Sequence, residues 1–232
     1  MDKKEVLEMY KHFRVTDVRD GMDWCGYIHY GTVSHEIKPL WQTKAIGFAR
    51  TARYIPFEGP APTVTGDEYT NWSGWYYGNV CTYPWANEIE PGDFVCLDMG
   101  GVDVGLMGSN NALGCKHKGM VGLLLSGGGI RDTDEVILEE IPVWMKHTSQ
   151  PMVQARVRFC DMNNPVAIGG VAVYPGDLVV ADNDGVIVVP QKIIYDVYKY
   201  AYRELKNDRI SRRHQYINAG MKLDETVEIE GI

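Results

Sequence analysis

A chain of 232 residues, 45% hydrophobic and 23% charged, has the composition of a soluble globular protein. That length can bury a sizeable core without disulfide staples. The formal net charge of −8 argues against a general nucleic-acid binder and against adhesion to an anionic membrane, both of which need a basic face.

Residues 3–13 place Val6, Leu7, Tyr10 and Phe13 at helical spacing, which predicts a short amphipathic helix. The stretch MDKKEVLEMYKHF is polar and does not read as a signal peptide. A second helix is expected to start within 15–20, capped by Thr16 or Asp17. Residues 44–55 alternate as a strand does. Residues 56–90 mix Pro and Gly with Tyr69, Trp72, Trp75, Tyr76, Tyr77, Tyr83 and Trp85. Pro and Gly interrupt it too often for a long regular element, yet it is too aromatic for a disordered linker. It reads as a structured insertion, packed on a site or a neighbouring subunit, or else a satellite core under a long loop.

Pro91, Gly92 and Asp93 form a turn ahead of a buried strand at 94–98. A glycine-rich bend leads to Gly108, after which a helix is expected over 109–118 with Ser109 or Asn110 as cap. A second buried strand at 123–125 is followed by a loop over 126–135, so strand, helix and strand imply a parallel βαβ unit. Further strands are expected at 143–147, 153–160, 178–181 and 186–189, with a turn held within 171–177 and a hairpin turn at 183–185. Pro190 opens a long helix over 190–219, striped by Ile193, Ile194, Val197, Tyr198, Ala201 and Leu205, and Gly220 ends it.

Five cysteines, none in a CxxC pair, suggest neither a disulfide framework nor a zinc knuckle, and a reducing cytoplasmic setting is the expectation. Cys96 lies in an apolar run as a core residue, and His117 is expected at the surface of its helix. No apolar run approaches the roughly 20 residues of a membrane span.

Chemistry concentrates at two neighbouring strand ends. Unpaired backbone N–H groups at the helix start, Gly108, Ser109, Asn110 and Asn111, favour a substrate carboxylate. The loop after the next strand carries Arg131 and Asp132, and ligands in parallel α/β units bind at the carboxyl ends of strands. A guanidinium can clamp a carboxylate at two points, and a carboxylate can hold Mg²⁺ or Mn²⁺ with most of the shell left to water. A surface ion pair and ordinary turns would give the same residue types, but the conjunction with a helix start favours a site.

These residues resemble the RraA-like family, which includes 4-hydroxy-4-methyl-2-oxoglutarate aldolases and regulators of ribonuclease E activity. The likeness rests on Gly108 before a helix, Gly119-Met120-Val121-Gly122, and Gly128-Gly129-Ile130-Arg131-Asp132 with Glu135. It also rests on the run from Pro175-Gly176-Asp177 through Ala181, Asp182, Asp184 and Gly185 to Pro190. The resemblance implies one α/β domain over 1–232 of the swivelling β/β/α type, trimeric or hexameric, with sites between subunits. It implies that Arg131 binds a 2-oxo acid, that Asp132 ligates Mg²⁺ or Mn²⁺, and that backbone amides over 108–111 hold a carboxylate. It further implies an acidic residue from a neighbour's C-terminal helix, Glu204 or Asp208, acting through metal-bound water. Ser109 stands where many family aldolases carry an acid, and the 126–130 loop is one residue longer.

The expected function is a metal-dependent carbon–carbon lyase that releases pyruvate from a 4-hydroxy-2-oxo acid, with oxaloacetate decarboxylation as a side activity. The alternative is a non-catalytic protein that binds and regulates a ribonuclease.

Overall fold

A computed structural model describes residues 2–229. The chain begins with α1 (Lys3–Tyr10) and α2 (Val15–Trp24), then β1 (Lys38–Pro39), β2 (Ala45–Pro56) and α3 (Gly66–Asn79). Next come β3 (Asp93–Asp98), α4 (Ser109–His117), β4 (Met120–Leu125), α5 (Thr133–Leu138) and β5 (Val143–Met145). The last third holds β6 (Val157–Met162), β7 (Val166–Ile168), β8 (Val171–Val173), β9 (Leu178–Asp182), β10 (Gly185–Val189) and α6 (Ile194–Asn218).

The main sheet runs β1-β5-β4-β3-β2-β9-β10, with β6 added beside the second half of β2. Strands β2 to β5 are parallel in their pairings, and β9, β10, β6 and β1 join antiparallel. The sheet curls until β1 approaches β10, giving a nearly closed barrel with a long C-terminal helix outside it. This is the mixed α/β fold expected, and β3, α4 and β4 form the expected parallel βαβ unit.

Period-two alternation explains why the strands are apolar on both faces. In β3, Phe94 and Cys96 point inward with Leu124 and Trp144, while Val95 and Leu97 point to the layer holding α3, α4 and α5. In β9 and β10, Val179, Ala181, Val186 and Val188 share that interior, while Leu178, Val180, Ile187 and Val189 meet α1, α2 and α6. Two Pro-Gly-Asp turns use one device: the buried carboxylate of Asp93 accepts the Glu90 N–H at 2.9 Å, and that of Asp177 accepts the Tyr174 N–H at 2.9 Å.

Several local expectations need correction. Neither Thr16 nor Asp17 caps α2: Arg14 occupies the cap position, and Asp17, in the first turn, accepts the Arg14 N–H at 2.8 Å and binds its guanidinium. Helix α4 has Gly108 rather than Ser109 or Asn110 at its cap, with no side-chain cap bond. The loop after β4 is shorter than 126–135, because α5 starts at Thr133. The 56–90 insertion does contain a long regular element, α3, with Gly74 and Gly78 exposed inside it. Tyr76, Cys81 and Trp85 from this insertion are buried in the same core layer as β3 and β4. The Tyr76 hydroxyl bonds the Val157 carbonyl at 2.7 Å, so tertiary packing offsets the low helix propensity of glycine. Strand β6 starts four residues later than expected, and Pro190 precedes a short 3₁₀ turn at Gln191–Ile193 instead of starting α6.

Helices α2 and α6 pack through Gly21, where a Cβ would lie 2.6 Å from the Val197 carbonyl oxygen and 3.0 Å from the Ala201 nitrogen. Gly21→Val is therefore expected to cost about 1–3 kcal/mol by overpacking. Gly74 meets nothing within 4 Å, so Gly74→Ala should gain about 0.5–1 kcal/mol. Urea unfolding of both variants measures the two opposite effects.

Candidate active site

The carboxyl ends of β3, β4 and β5 lead into three loops that bond to one another. Between the first two, the Met107 N–H donates to the Gly129 carbonyl at 2.8 Å and the Arg131 N–H to the Met107 carbonyl at 3.0 Å, a parallel bridge outside the sheet. The third loop joins through the Ser149 N–H to the Ile130 carbonyl at 2.9 Å and the Gly105 N–H to the Pro151 carbonyl at 2.8 Å. Arg131 and Asp132 thus project from backbone fixed on two sides.

Their immediate surroundings depend on missing side chains. A Cβ on Gly108 would sit 2.5 Å from Oδ2 of Asp132, so the carboxylate occupies the space a side chain would take at the start of α4. A Cβ on Gly105 would sit 2.7 Å from Cδ of Arg131. The Arg131 Nε lies 3.4 Å from Oδ1 of Asp132, and both side chains remain about one-third exposed, at 34% and 38%. Asp132 adopts a left-handed conformation, φ 58° and ψ 43°, at the start of α5. A non-glycine residue held there stores strain, a feature that clusters at functional sites.

Of the residues expected at the site, Gly108, Arg131 and Asp132 come together directly. Ser109 is buried and its hydroxyl donates to the Glu135 carboxylate, which ties Glu135 to the start of α4. Asn110 and Asn111 are exposed, and what they offer the site is backbone: no side chain caps α4, and its first N–H groups lack intrahelical partners. Glu204 and Asp208 are not brought in. Within the chain, Glu204 accepts from Arg203 at 3.0 Å and Asp208 from Arg14 at 3.1 Å. Both instead neighbour Asp20, whose carboxyl is raised above its ordinary range by partial burial and by Asp17, Asp23, Glu204 and Asp208.

An open pocket of about 390 Å³ faces Arg131 and Asp132 and is completed by Thr133, Thr148, Ser149 and Gln150. The last three were missed in sequence, although they follow strand β5 and the strand-end rule that found Arg131 applies equally there. Behind them, the Ser149 hydroxyl, against the opposing effect of burial and with help from His147, holds the Asp103 carboxyl below its usual range. His117 is exposed and Cys96 is buried, as expected, and all five cysteines are free.

Among the described residues, no three His, Cys, Asp or Glu side chains converge to enclose a metal ion. A single exposed carboxylate beside an open pocket still suits a hard cation that keeps most of its own water, and Asp132 meets that description.

A family profile described as RraA-like, Aldolase/RraA, matches residues 15–188. The chain belongs to the RraA-like family. It is 27% identical to protein DlpA of Legionella pneumophila over 83% of its own length, but spans 28% of that longer protein. It is 31% identical to the 4-hydroxy-4-methyl-2-oxoglutarate aldolase of Thermus thermophilus over 45% of this chain and 63% of the aldolase. The crystal structure of RraAS2 from Streptomyces coelicolor, an unusual member of the RNase ES inhibitor RraA protein family, superposes with a TM-score of 0.72. That match covers 91% of this chain and 97% of the other at 23% identity, which establishes the shared fold. No helix among the described residues is long and apolar enough to cross a membrane.

Relief of the left-handed strain at Asp132 provides a check on the site. Asp132→Gly is expected to raise stability by about 0.5–1 kcal/mol, part of the cost of the left-handed region for residues with a Cβ. Asp132→Ala, which keeps the Cβ, should not. Chemical denaturation of the two variants side by side makes the comparison, and equal stabilities would mean that the backbone is relaxed there.

Proposed function

We propose that this RraA-like protein is a divalent-metal-dependent carbon–carbon lyase that cleaves a small 4-hydroxy-2-oxo acid to release pyruvate, with oxaloacetate decarboxylation as a side activity. The observation that carries this reading is the Asp132 carboxylate seated against Gly108 with Arg131 beside it at the mouth of one pocket. A regulator that only bound a ribonuclease would not need a strained carboxylate beside an anion-favouring helix start.

Asp132 would hold Mg²⁺ or Mn²⁺, and the bound ion would supply a Lewis acid at the 2-oxo oxygen. The Arg131 fork would clamp the substrate carboxylate, with the first N–H groups of α4 favouring the same negative charge. A base, for which ordered water at the site would serve, would take the proton from the C4 hydroxyl as the C3–C4 bond breaks. C4 would leave as a carbonyl, and the electron pair would pass to the 2-oxo group as pyruvate enolate, which a proton returned to C3 converts to pyruvate. The guanidinium of Arg131 would balance the charge that develops there, which is electrostatic stabilisation of the transition state. A pocket of about 390 Å³ suits a substrate of metabolite size. Thr148, Ser149 and Gln150 would orient its far end.

The neighbouring acid would come from another copy in a homotrimer or a dimer of trimers, with Glu204 or Asp208 of the partner subunit fixing metal-bound water. Cytoplasmic residence would keep the five free cysteines reduced.

The test is a pyruvate-release screen over several 4-hydroxy-2-oxo acids and oxaloacetate, with Mg²⁺, with Mn²⁺ and with EDTA. Metal-dependent release is expected, and Arg131→Ala and Asp132→Ala should each lower kcat/KM by at least about a hundredfold while staying folded. Mixing inactive Asp132→Ala subunits with inactive Glu204→Ala/Asp208→Ala subunits should restore part of the activity. Full turnover in excess EDTA, or near-normal turnover of either single variant, would refute the mechanism. No rescue in mixtures shown to exchange subunits would refute the shared site.

A further inference from the structure

A second cavity, of about 470 Å³, lies at the turn between α1 and α2, where the distal half of α6 and the C-terminal segment meet. Six basic side chains line it: Lys11, His12, Arg14, Lys44, Arg209 and Arg212. Three carboxylates, Asp208, Glu225 and Glu228, share its wall. It has no lining residue in common with the Arg131–Asp132 pocket.

What these cations bond to is informative. Lys11 is paired with Glu8, and Arg14 with Asp17 and Asp208. Among the described residues, Lys44, Arg209 and Arg212 have no carboxylate at ion-pair distance. Lys44 Nζ donates to the Lys11 carbonyl at 2.8 Å, Arg209 to the Glu228 carbonyl at 2.8 Å, and Arg212 to the Thr226 hydroxyl at 3.1 Å. Neutral oxygens orient these groups without neutralising them, and each guanidinium makes one such bond among the described residues, leaving further N–H donors for a ligand. Elsewhere in this acidic chain, Arg19, Arg50, Arg53 and Arg158 each have a carboxylate partner. Partial burial, followed by Lys11, Arg209 and Lys44, also pushes the His12 imidazole below its ordinary range. Like charges are therefore held together here, and an entering anion would relieve them.

We propose that this pocket binds a small polyanion bearing phosphate or clustered carboxylate groups, at a site separate from the catalytic one. Two arginines and a lysine converging from α6 and the start of β2 match two or more anionic groups on one molecule. The volume fits a metabolite and is too small for a folded partner. Its occupant would tie the α1–α2 turn to α6 and the C-terminal segment.

The probes are inorganic pyrophosphate and citrate, each titrated calorimetrically into the full chain at constant ionic strength. Saturable binding of one probe per chain is expected, and the tighter of the two identifies phosphate or carboxylate as the recognised group. Lys44→Gln/Arg209→Gln, two polar exchanges at the protein surface, should weaken that binding at least about tenfold. Arg131→Ala should leave it unchanged, which separates this site from the proposed lyase site. Absence of binding by both probes would overturn the proposal, as would wild-type affinity in the double variant. Loss of binding in Arg131→Ala would assign the anion to the other pocket and also overturn it. A change in oligomer mass in the double variant, seen by light scattering, would assign the cations to a subunit contact instead.

Discussion

Everything at the candidate site depends on three strand-end loops bonding to each other. A loop at the end of a strand ordinarily satisfies its backbone with water and moves accordingly. Here the Met107–Ile130 bridge and the Ser149 and Gly105 bonds turn the loops into a small extension of the sheet. Such close approach requires glycine at Gly105 and Gly108, because Arg131 and Asp132 fill the places where side chains would stand. The same crowding holds Asp132 in a left-handed conformation it would leave if the loop were free. Strain and position therefore have one cause, and preorganisation of the charged pair follows from backbone bonding more than from the weak, partly exposed Arg131–Asp132 contact.

The parts of the fold legible in sequence were those with strong period and punctuation. The β3–α4–β4 unit could be read because two apolar runs flank a helix and glycines mark its ends. The β9–β10 hairpin could be read from Asn183, Asp184 and Gly185 between two valine-rich strands. Helix α3 could not, because its signals are tertiary. Glycines lower its intrinsic propensity, and what holds it is Tyr76 buried among residues of distant strands. Short β7 and β8 were invisible for a related reason: three residues carry too little period to separate a strand from a turn.

At the site, the same division applies. Arg131, Asp132 and Gly108 could be singled out as candidates because a charged pair after glycines at a strand end has a physical rationale, and the structure places them side by side. Ser149 and the contact made by Glu135 are not legible in sequence, because cross-loop contacts set them. Ser149 looks like any loop serine until its N–H meets Ile130 and its hydroxyl meets Asp103. Glu135 looks like helix-start charge until Ser109 donates to it. The residues placed on α6, Glu204 and Asp208, could be located in sequence, but no pattern in one chain specifies which surface they face in an assembly.

Helix α6 shows how packing and charge divide one element. Its buried residues are Ile194, Val197, Ala201 and Leu205, so core burial accounts for three turns of a 25-residue helix. Beyond Leu205 the helix has no buried residue, Ile210 and Ile217 being exposed, and an isolated stretch of that length would fray in water. What holds it is the returning C-terminal segment, anchored by buried Val227 and clamped through Arg209 to the Glu228 carbonyl and Arg212 to Thr226. The clamp uses cations that bond to neutral oxygens rather than to carboxylates, and so it leaves them assembled around a cavity. In the first half of α6 the sequence specifies a core. In the second half it specifies a charged surface, whose cations both clamp the C-terminal segment and line the cavity.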